Sequence, residues 1–237
     1  SRVLALYNAD PRSIGVILDE FTNAKVVRAV HGKNQLEEVL VDFWFNHFNV
    51  FVNDGFDRYS ISSYERDAIR PHVLGRFRDL LQAASLHPAM LFYLDNYLNT
   101  VPRRVGNRVT GGINENQGRE LLELHTVGVD AGYSQADVYE ASRCLTGHGI
   151  DNLTTSGAYV FRAANHDNEA KQVFGLSVPA GGGEGELYAR ATDVLVHLYR
   201  AGDRAVLPGL GAYAGDALIE AAARPDLFVP RHPLFRV

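Results

Sequence analysis

Hydrophobic residues recur at spacings of three and four along most of the chain, which is the period of an amphipathic helix. One run of this kind comprises Leu36, Val39, Leu40, Phe43, Trp44 and His47. Further helices are predicted over 64–70, 73–85, 116–127, 134–146, 187–201 and 217–223, with another beginning at Pro88. The glycine- and arginine-rich stretch 100–112 is expected to be a loop, and only 158–161 has the composition of a strand. The pattern therefore predicts an all-α domain of several helices, orthogonal or bundle-like, with at most one small β-hairpin.

Glycine and glutamate dominate 181–186, a composition typical of a flexible linker. The sequence therefore predicts a helical core domain over 1–180, a linker over 181–186 and a C-terminal helical segment over 187–237. A chain of 237 residues is long enough for one domain with a substantial core and a smaller addition.

Composition and motifs argue against several classes of protein. Hydrophobic residues make up 46% of the chain and charged residues 22%, which are ordinary globular values. The net charge of −5 and the scattered arginines argue against nucleic-acid binding, and no apolar run reaches the roughly 18–20 residues of a membrane span. The sequence has no G-x-S-x-G, P-loop, H-E-x-x-H or G-x-G-x-x-G motif, so serine hydrolases, nucleotide hydrolases, zinc peptidases and dinucleotide oxidoreductases are not favoured. Cys144 is the only cysteine, which excludes an internal disulfide, and it is expected in the core.

The densest group of polar side chains lies on the helix predicted over 116–127. Asn114 is predicted to cap the N-terminus of this helix, with Gln117 closing a capping box. Helical periodicity places Leu121, Leu122, Leu124 and His125 on one face and Asn116, Arg119, Glu120 and Glu123 on the other. The helix therefore combines an apolar face that holds a histidine with a face of charged and amide groups.

Glu120 and Glu123 are three residues apart, so their carboxylates lie on the same helix face. Such a pair can divide the acid and base roles of a hydrolase or lyase, or it can bind a divalent cation. Arg119 would then orient an anionic group, and Asn114 and Asn116 would contact the substrate. The alternative stays open that Arg119 and Glu123 form an ordinary surface ion pair, which contributes roughly a few tenths of a kcal/mol.

His47 and His125 each lie on the apolar side of a predicted helix. A neutral imidazole in such a position is a candidate general base or metal ligand. If the two helices bring these histidines together with Glu120 and Glu123, the four side chains are candidate ligands of a divalent metal cofactor. Histidines on apolar faces are also common as core residues with a hydrogen-bonded ring, and the sequence leaves both interpretations open.

A third polar group follows at His166, Asp167 and Lys171. In a loop, His166 and Asp167 can form an acid–base pair close to the helix that carries Glu120, and Lys171 can bind an anionic group of the substrate. The alternative is that Asp167 and Lys171 form an i,i+4 ion pair that stabilises a short helix.

Four stretches of the chain carry a recognisable pattern: EEVLVDFWFNHFNVFV (37–52), YERDAIRPHVLGRFRDLLQAASLHPAMLFYLDNYL (64–98), NENQGRELLELHTVGVDAGYSQADVYEASRCLTGHG (114–149) and HDNEAKQVFG (166–175). In this order they resemble the bacterial domain-of-unknown-function family numbered eighteen hundred. The resemblance fades beyond 181, so the segment 187–237 is expected to diverge from the family. The resemblance implies no particular reaction. It does imply a periplasmic or secreted location, and Ser1 is expected to follow a segment that has been removed.

Two functions of different classes remain for this chain. One is an acid/base or metal-assisted hydrolase or lyase that acts on a small molecule or a polymer. Its polar cleft would be lined by 114–126, the loop after Gly147 and the helix of His47, with His47 or His166 carrying protons. The other is a non-catalytic helical module that binds or assembles an envelope protein or polymer.

Overall fold

The structure is a computed structural model, and it describes Asp10 and residues 13–186. The helices predicted over 187–201 and 217–223 lie outside the described residues, as does the whole predicted segment 187–237. The division of the chain at 181–186 stays a prediction.

The first half of the described chain is helical. Its elements are α1 (Ser13–His31), α2 (Gln35–His47), α3 (Asp57–Ser63), a π-helix (Tyr64–Ile69), a 3-10 helix (Arg70–His72), α4 (Phe77–Leu86), α5 (Pro88–Tyr93) and a second 3-10 helix (Asn96–Leu98). Helix α5 begins where the sequence predicts, because Pro88 suits a first turn and the His87 ring accepts a hydrogen bond from the Ala89 amide at 3.2 Å. Within the described ranges no helix combines the length and the apolar character that crossing a membrane requires.

The second half alternates hairpins with helices. Its elements are β1 (Thr100–Val105), β2 (Arg108–Gly112), α6 (Asn116–Glu123), α7 (Gln135–Cys144), β3 (His148–Asp151), β4 (Ala158–Phe161), a 3-10 helix (Ala163–Asn165), β5 (Lys171–Val173), β6 (Leu176–Val178) and a last 3-10 helix (Gly183–Gly185). The strands pair as three antiparallel hairpins, β1 with β2, β3 with β4 and β5 with β6. Helix α7 begins with a capping box between Ser134 and Asp137, which confirms its predicted start.

The all-α prediction is wrong, because the described residues form a mixed helical and β structure with six strands in three small sheets. The stretch 100–112, expected to be a loop, is a hairpin whose two-residue turn is Gly106–Asn107. Gly106 has a φ of 60°, which glycine adopts without strain. The strands are three to six residues long, too short for a periodic hydrophobic pattern to stand out. The strand predicted over 158–161 is confirmed as β4.

Aromatic side chains of α2 and the residue that follows it form the centre of the hydrophobic core. Trp44 stacks on Phe48 with 5.8 Å between the ring centroids, and both rings contact Phe77 of α4. The same buried cluster includes Leu121, Leu122, Val138 and Ala141. The core therefore extends from α2 to α6 and α7.

Helices α6 and α7 are in close contact at Gly118 and Ser142. A Cβ atom on residue 118 would lie 2.9 Å from the Ser142 backbone nitrogen, which is closer than real Cβ atoms approach. Glycine is therefore required at this position, and the contact determines which face of α6 turns away from the core.

We expect the Gly118→Ala variant to lose about 1–3 kcal/mol of unfolding free energy, because the added methyl group meets the Ser142 backbone. Gly15→Ala is the matched control, since nothing lies within 4 Å of a Cβ atom at that exposed helical position and alanine is the better helix former. Urea denaturation measures both variants. An unchanged stability of Gly118→Ala would contradict the close packing of α6 on α7.

Candidate functional site

The Glu120 carboxyl group is partly withdrawn from water on α6. Its Oε2 atom is buried and has no hydrogen-bond partner among the described residues. Burial raises the pKa of Glu120, the negative charge of Glu123 raises it further, and the positive charge of Arg119 opposes both effects. Glu120 therefore retains a proton more readily than an exposed glutamate does, and one of its buried oxygens has no hydrogen-bond partner among the described residues.

Tyr133, in the loop between α6 and α7, completes the group around the two glutamates. The Glu123 carboxylate is near enough to act on its hydroxyl group. Burial raises the pKa of Tyr133, and the charge of Glu123 raises it further, so the hydroxyl stays protonated and can donate to that carboxylate. The sequence analysis did not include Tyr133 in the site, and its one signal is its place at the start of YSQADV.

Arg119 is next to Glu120 in the sequence, but its ion-pair partner lies towards the N-terminus of α6, away from Glu123. Its Nη2 atom is 3.1 Å from Oε2 of Glu115 and donates a hydrogen bond to Oε1 of Gln135 at 2.9 Å. This pair stands in place of the Arg119–Glu123 surface pair that the sequence left open. Arg119 therefore pairs with Glu115 and not with Glu123.

The amide side chains at the start of α6 have partners within the protein. Asn114 accepts a hydrogen bond from the Asn116 amide at 3.0 Å, and the Asn116 side chain donates to Asp95 at 3.3 Å. The predicted capping box is wrong, because Gln117 is buried and donates to the Ser85 carbonyl at 2.7 Å. Asn116 thus lies about one turn before Glu120 on α6, and Asn114 lies just before the helix begins.

His125 is buried next to His47 just beyond the end of α6. Burial lowers the pKa of His125 to about 3, and the neighbouring His47 contributes in the same direction. The two rings are 6.3 Å apart between centroids, and the His47 Nε2 atom lies 3.2 Å from the backbone carbonyl of His125. His125 is therefore neutral at pH 7, with a buried Nδ1 atom that has no hydrogen-bond partner in the described part of the chain.

The four candidate metal ligands do not form a metal site. Across Asp10 and residues 13–186, no group of three or more His, Cys, Asp or Glu side chains is arranged to hold a metal ion. His47 lines a cavity of about 830 Å³ between α1 and α2, to which Glu120 and Glu123 do not contribute. The structure thus brings His47 close to His125 and Glu120 close to Glu123, as two separate pairs.

His166 and Lys171 belong to a buried ion network centred on Glu186. The Lys171 ammonium donates to both carboxylate oxygens of Glu186, at 2.9 and 3.0 Å, and to two backbone carbonyls. The His166 ring contacts Glu186 through Nε2 at 2.9 Å and the Thr146 carbonyl through Nδ1 at 2.8 Å. Each of these polar groups is satisfied within the protein. Glu186 was missed because the sequence placed it in a linker.

Arg143 of α7 binds the remaining member of this third polar group. Its Nε and Nη2 atoms donate to the two carboxylate oxygens of Asp167, at 2.8 and 3.0 Å, and Nη1 donates to Glu140. The partners of His166, Asp167 and Lys171 therefore lie on α7, in the loops that follow it and at Glu186. The sequence suggested that His166 and Asp167 lie close to the helix of Glu120, but none of these contacts joins them to Glu120.

A family model described as "Protein of unknown function (DUF1800)" matches residues 7–205. This match covers more than half of the chain, includes all four stretches quoted above and continues across the predicted linker. No curated protein and no solved structure matches the chain.

We expect Glu186→Gln to lose about 3–5 kcal/mol of unfolding free energy, because the buried Lys171 ammonium would lose its counter-charge at 2.9 Å and keep only Asp167, at 3.9 Å. Glu184→Gln, at an exposed position two residues earlier, is the control and should change stability by less than about 0.5 kcal/mol. Adding Lys171→Met to Glu186→Gln should restore part of the loss. If the losses of unfolding free energy from Glu186→Gln and Lys171→Met, measured by chemical denaturation, are strictly additive in the double variant, the two residues do not form a network.

Lowering the pH from 7 to 5 should destabilise the fold through His125. Its folded pKa of about 3 is below the roughly 6.5 of an exposed histidine, so this stability is complete above pH 6.5 and is lost as the pH falls. We expect His125 to account for about 2 kcal/mol of the loss between pH 7 and pH 5. His125→Gln should lack that part of the loss, whereas His31→Gln, at an exposed position, should retain it. Equal pH dependence in both variants, measured by urea denaturation, would contradict the neutral burial of His125.

Proposed function

We propose that this chain, which belongs to the DUF1800 family of proteins of unknown function, is an enzyme that uses acid/base catalysis at Glu120 and Glu123. The family description names no reaction, so the proposal is based on the described side chains. One observation carries it: a buried carboxyl oxygen of Glu120 has no partner in the described protein, beside a second carboxylate that raises the Glu120 pKa. Perturbed carboxyl groups of this kind are concentrated at active sites.

In the proposed reaction, Glu120 is the acid and Glu123 is the base. Glu123 removes a proton from a water molecule that attacks the substrate, and protonated Glu120 gives its proton to the leaving group. The raised pKa of Glu120 favours the protonated form that this role needs. The same two groups would serve an elimination, in which Glu123 removes a carbon-bound proton and Glu120 protonates the group that leaves. The reaction class is therefore hydrolase or lyase.

Tyr133 and Arg119 assist the two carboxyl groups in this proposal. The protonated Tyr133 hydroxyl would donate to the Glu123 carboxylate and keep it in one orientation. Arg119 makes its hydrogen bonds to described residues through Nη2, so the rest of its guanidinium group can bind an anionic part of the substrate. Asn116, one turn earlier on α6, and Asn114, just before the helix, would supply amide groups to a polar substrate.

Of the two proposed proton carriers, His47 fits this site better than His166. The His47 ring contacts the backbone of His125, which is two residues beyond Glu123. The His166 ring is bound on both sides by Thr146 and Glu186. We therefore keep His47, and not His166, as the candidate for proton transfer to and from solvent, through the cavity that it lines beside the separate pair of glutamates. The proposed chemistry needs only these side chains and a water molecule.

The second candidate function is the non-catalytic module that binds an envelope protein or polymer. One observation favours it: the β1–β2 hairpin exposes Val105 and Val109 together with three arginines. If the protein is such a binding module, replacing Glu120 should change only the stability of the fold. The two functions are thus separated by what happens when Glu120 is replaced.

We expect Glu120→Gln and Glu123→Gln each to lower a measured turnover rate by about 10²–10⁴-fold, which is the usual contribution of a general acid or base. Glu120→Gln should keep or raise the unfolding free energy, because it replaces a carboxyl group whose ionised form is disfavoured by burial. Activity is assayed with chromogenic aryl esters and glycosides and by the ultraviolet absorbance of an unsaturated elimination product.

Glu140→Gln is the matched control for these variants. Glu140 is a partly buried carboxylate that accepts hydrogen bonds from Arg143 and from the backbone N–H of Gln172, each at 3.0 Å. Its replacement should therefore lower the stability and leave the turnover rate unchanged. If Glu120→Gln and Glu140→Gln both lose stability and neither changes turnover, Glu120 is a structural residue and the enzyme proposal fails.

A further inference from the structure

The β1–β2 hairpin is a basic surface element with little contact to the rest of the protein. It contains Arg103, Arg104 and Arg108 and no acidic residue, within a chain whose net charge is −5. Every residue from 102 to 111 is exposed, and Val105 and Val109 show 64% and 70% of their surface to solvent. A two-stranded hairpin with both faces in water buries little and is marginally stable by itself. These features indicate a surface that a partner covers.

The strand register shows which edge of the hairpin is open. Val105 pairs with Arg108 across the two-residue turn, so they form a hydrogen-bonded pair, and the next pair, Arg104 with Val109, is a non-hydrogen-bonded pair. The backbone N–H and C=O of Val109 therefore point outward from β2. The outer edge of β1 contains Pro102, which has no N–H to donate. The edge of β2 is thus the better template for a further strand.

The same register divides the side chains between two faces. Cross-strand partners share a face and neighbours along a strand alternate. One face therefore holds Arg103, Val105, Arg108 and Thr110, and the other holds Arg104 and Val109. A strand added beside β2 would meet a cation at Arg108 and an apolar side chain at Val109, one residue apart and on opposite faces.

We propose that this hairpin is a docking site for an extended acidic peptide segment of a partner protein, which adds to β2 as a third strand. The peptide places a carboxylate beside Arg108 and an apolar side chain beside Val109, so its sequence alternates acidic and apolar residues. Its main chain pairs with the open backbone groups of Val109. An acidic polysaccharide or a phosphodiester also attracts arginine, but it offers no backbone ladder and no alternating apolar side chain.

The positive charge of the hairpin attracts an acidic peptide even though the remainder of the chain is acidic. Three positive charges on the hairpin leave the remaining residues with a net charge of −8, since −5 minus 3 is −8. At physiological ionic strength charges are screened over about 8 Å, while a six-residue strand is roughly 20 Å long. The arginines near the turn are therefore screened from most of the acidic body. An incoming carboxylate meets a positive surface there.

The test uses the full chain and a fluorescein-labelled decapeptide of alternating glutamate and valine or threonine, with binding followed by fluorescence anisotropy. We expect saturable binding that Arg108→Gln weakens roughly two- to fivefold, the range of a cross-strand ion pair. Val109→Pro removes the outward N–H at a position where the hairpin does not use it, and should abolish binding. Glu120→Gln should bind as the unaltered chain does, which keeps this result independent of the proposed chemistry.

A second peptide guards against a folding defect in the Val109→Pro variant. It has the same sequence with N-methyl groups on every second amide, so its charge is unchanged while one edge can no longer pair. The unaltered protein should bind it at least tenfold more weakly. If both peptides bind equally well, the hairpin is a general site for polyanions and the proposal is wrong. Tighter binding of single-stranded DNA of equal charge, or no binding of the peptide, would also contradict the proposal.

Discussion

The contact between Gly118 and Ser142 determines the position of α6, and the polar groups on α6 depend on that position. Because no side chain separates the two backbones there, α6 lies close against α7 and directs Leu121 and Leu122 into the core. Glu120 is then placed at the boundary of the core, deep enough for burial to raise its pKa. A larger separation of the two helices would admit water to the Glu120 carboxyl group and remove this effect.

Most helices from α2 onwards could be predicted from the sequence, because they have a repeating apolar face or a local start signal, such as Pro88 for α5 and the Ser134–Asp137 capping box for α7. Helix α1 was not predicted, because its apolar residues do not gather on one face. The hairpins could not be predicted in the same way. The β1–β2 hairpin is exposed on both faces, so no buried face imposes alternation on its sequence, and the Gly106–Asn107 turn is its one local signal. In the β5–β6 turn Phe174 has a positive φ of 49°, which its own side chain does not favour.

The sequence could predict the part of the candidate site that lies on one face of a single helix. The spacing of Glu120 and Glu123 places both carboxyl groups on the same side of α6, and this needs no tertiary information. The choice of partners does need it: Glu115 and Glu123 are both four residues from Arg119, and only the position of Gln135 on α7 explains why Glu115 is the partner. Tyr133 lies in the loop between α6 and α7, so helical spacing gave no indication that it lies near Glu123.

Glu186 and Glu120 show how differently this protein treats two shielded carboxyl groups. Both oxygens of Glu186 bind Lys171, and one also contacts the His166 ring, so the charge is neutralised where it is buried. Glu120 has an arginine next to it in sequence, yet that arginine pairs with Glu115 and Gln135, and Oε2 of Glu120 is left without a protein partner among the described residues. An unpartnered buried acceptor costs about 1–3 kcal/mol. The fold supplies four hydrogen bonds to Lys171 and none to this oxygen of Glu120, so the Glu120 carboxyl group is stabilised in its protonated form rather than as a charge.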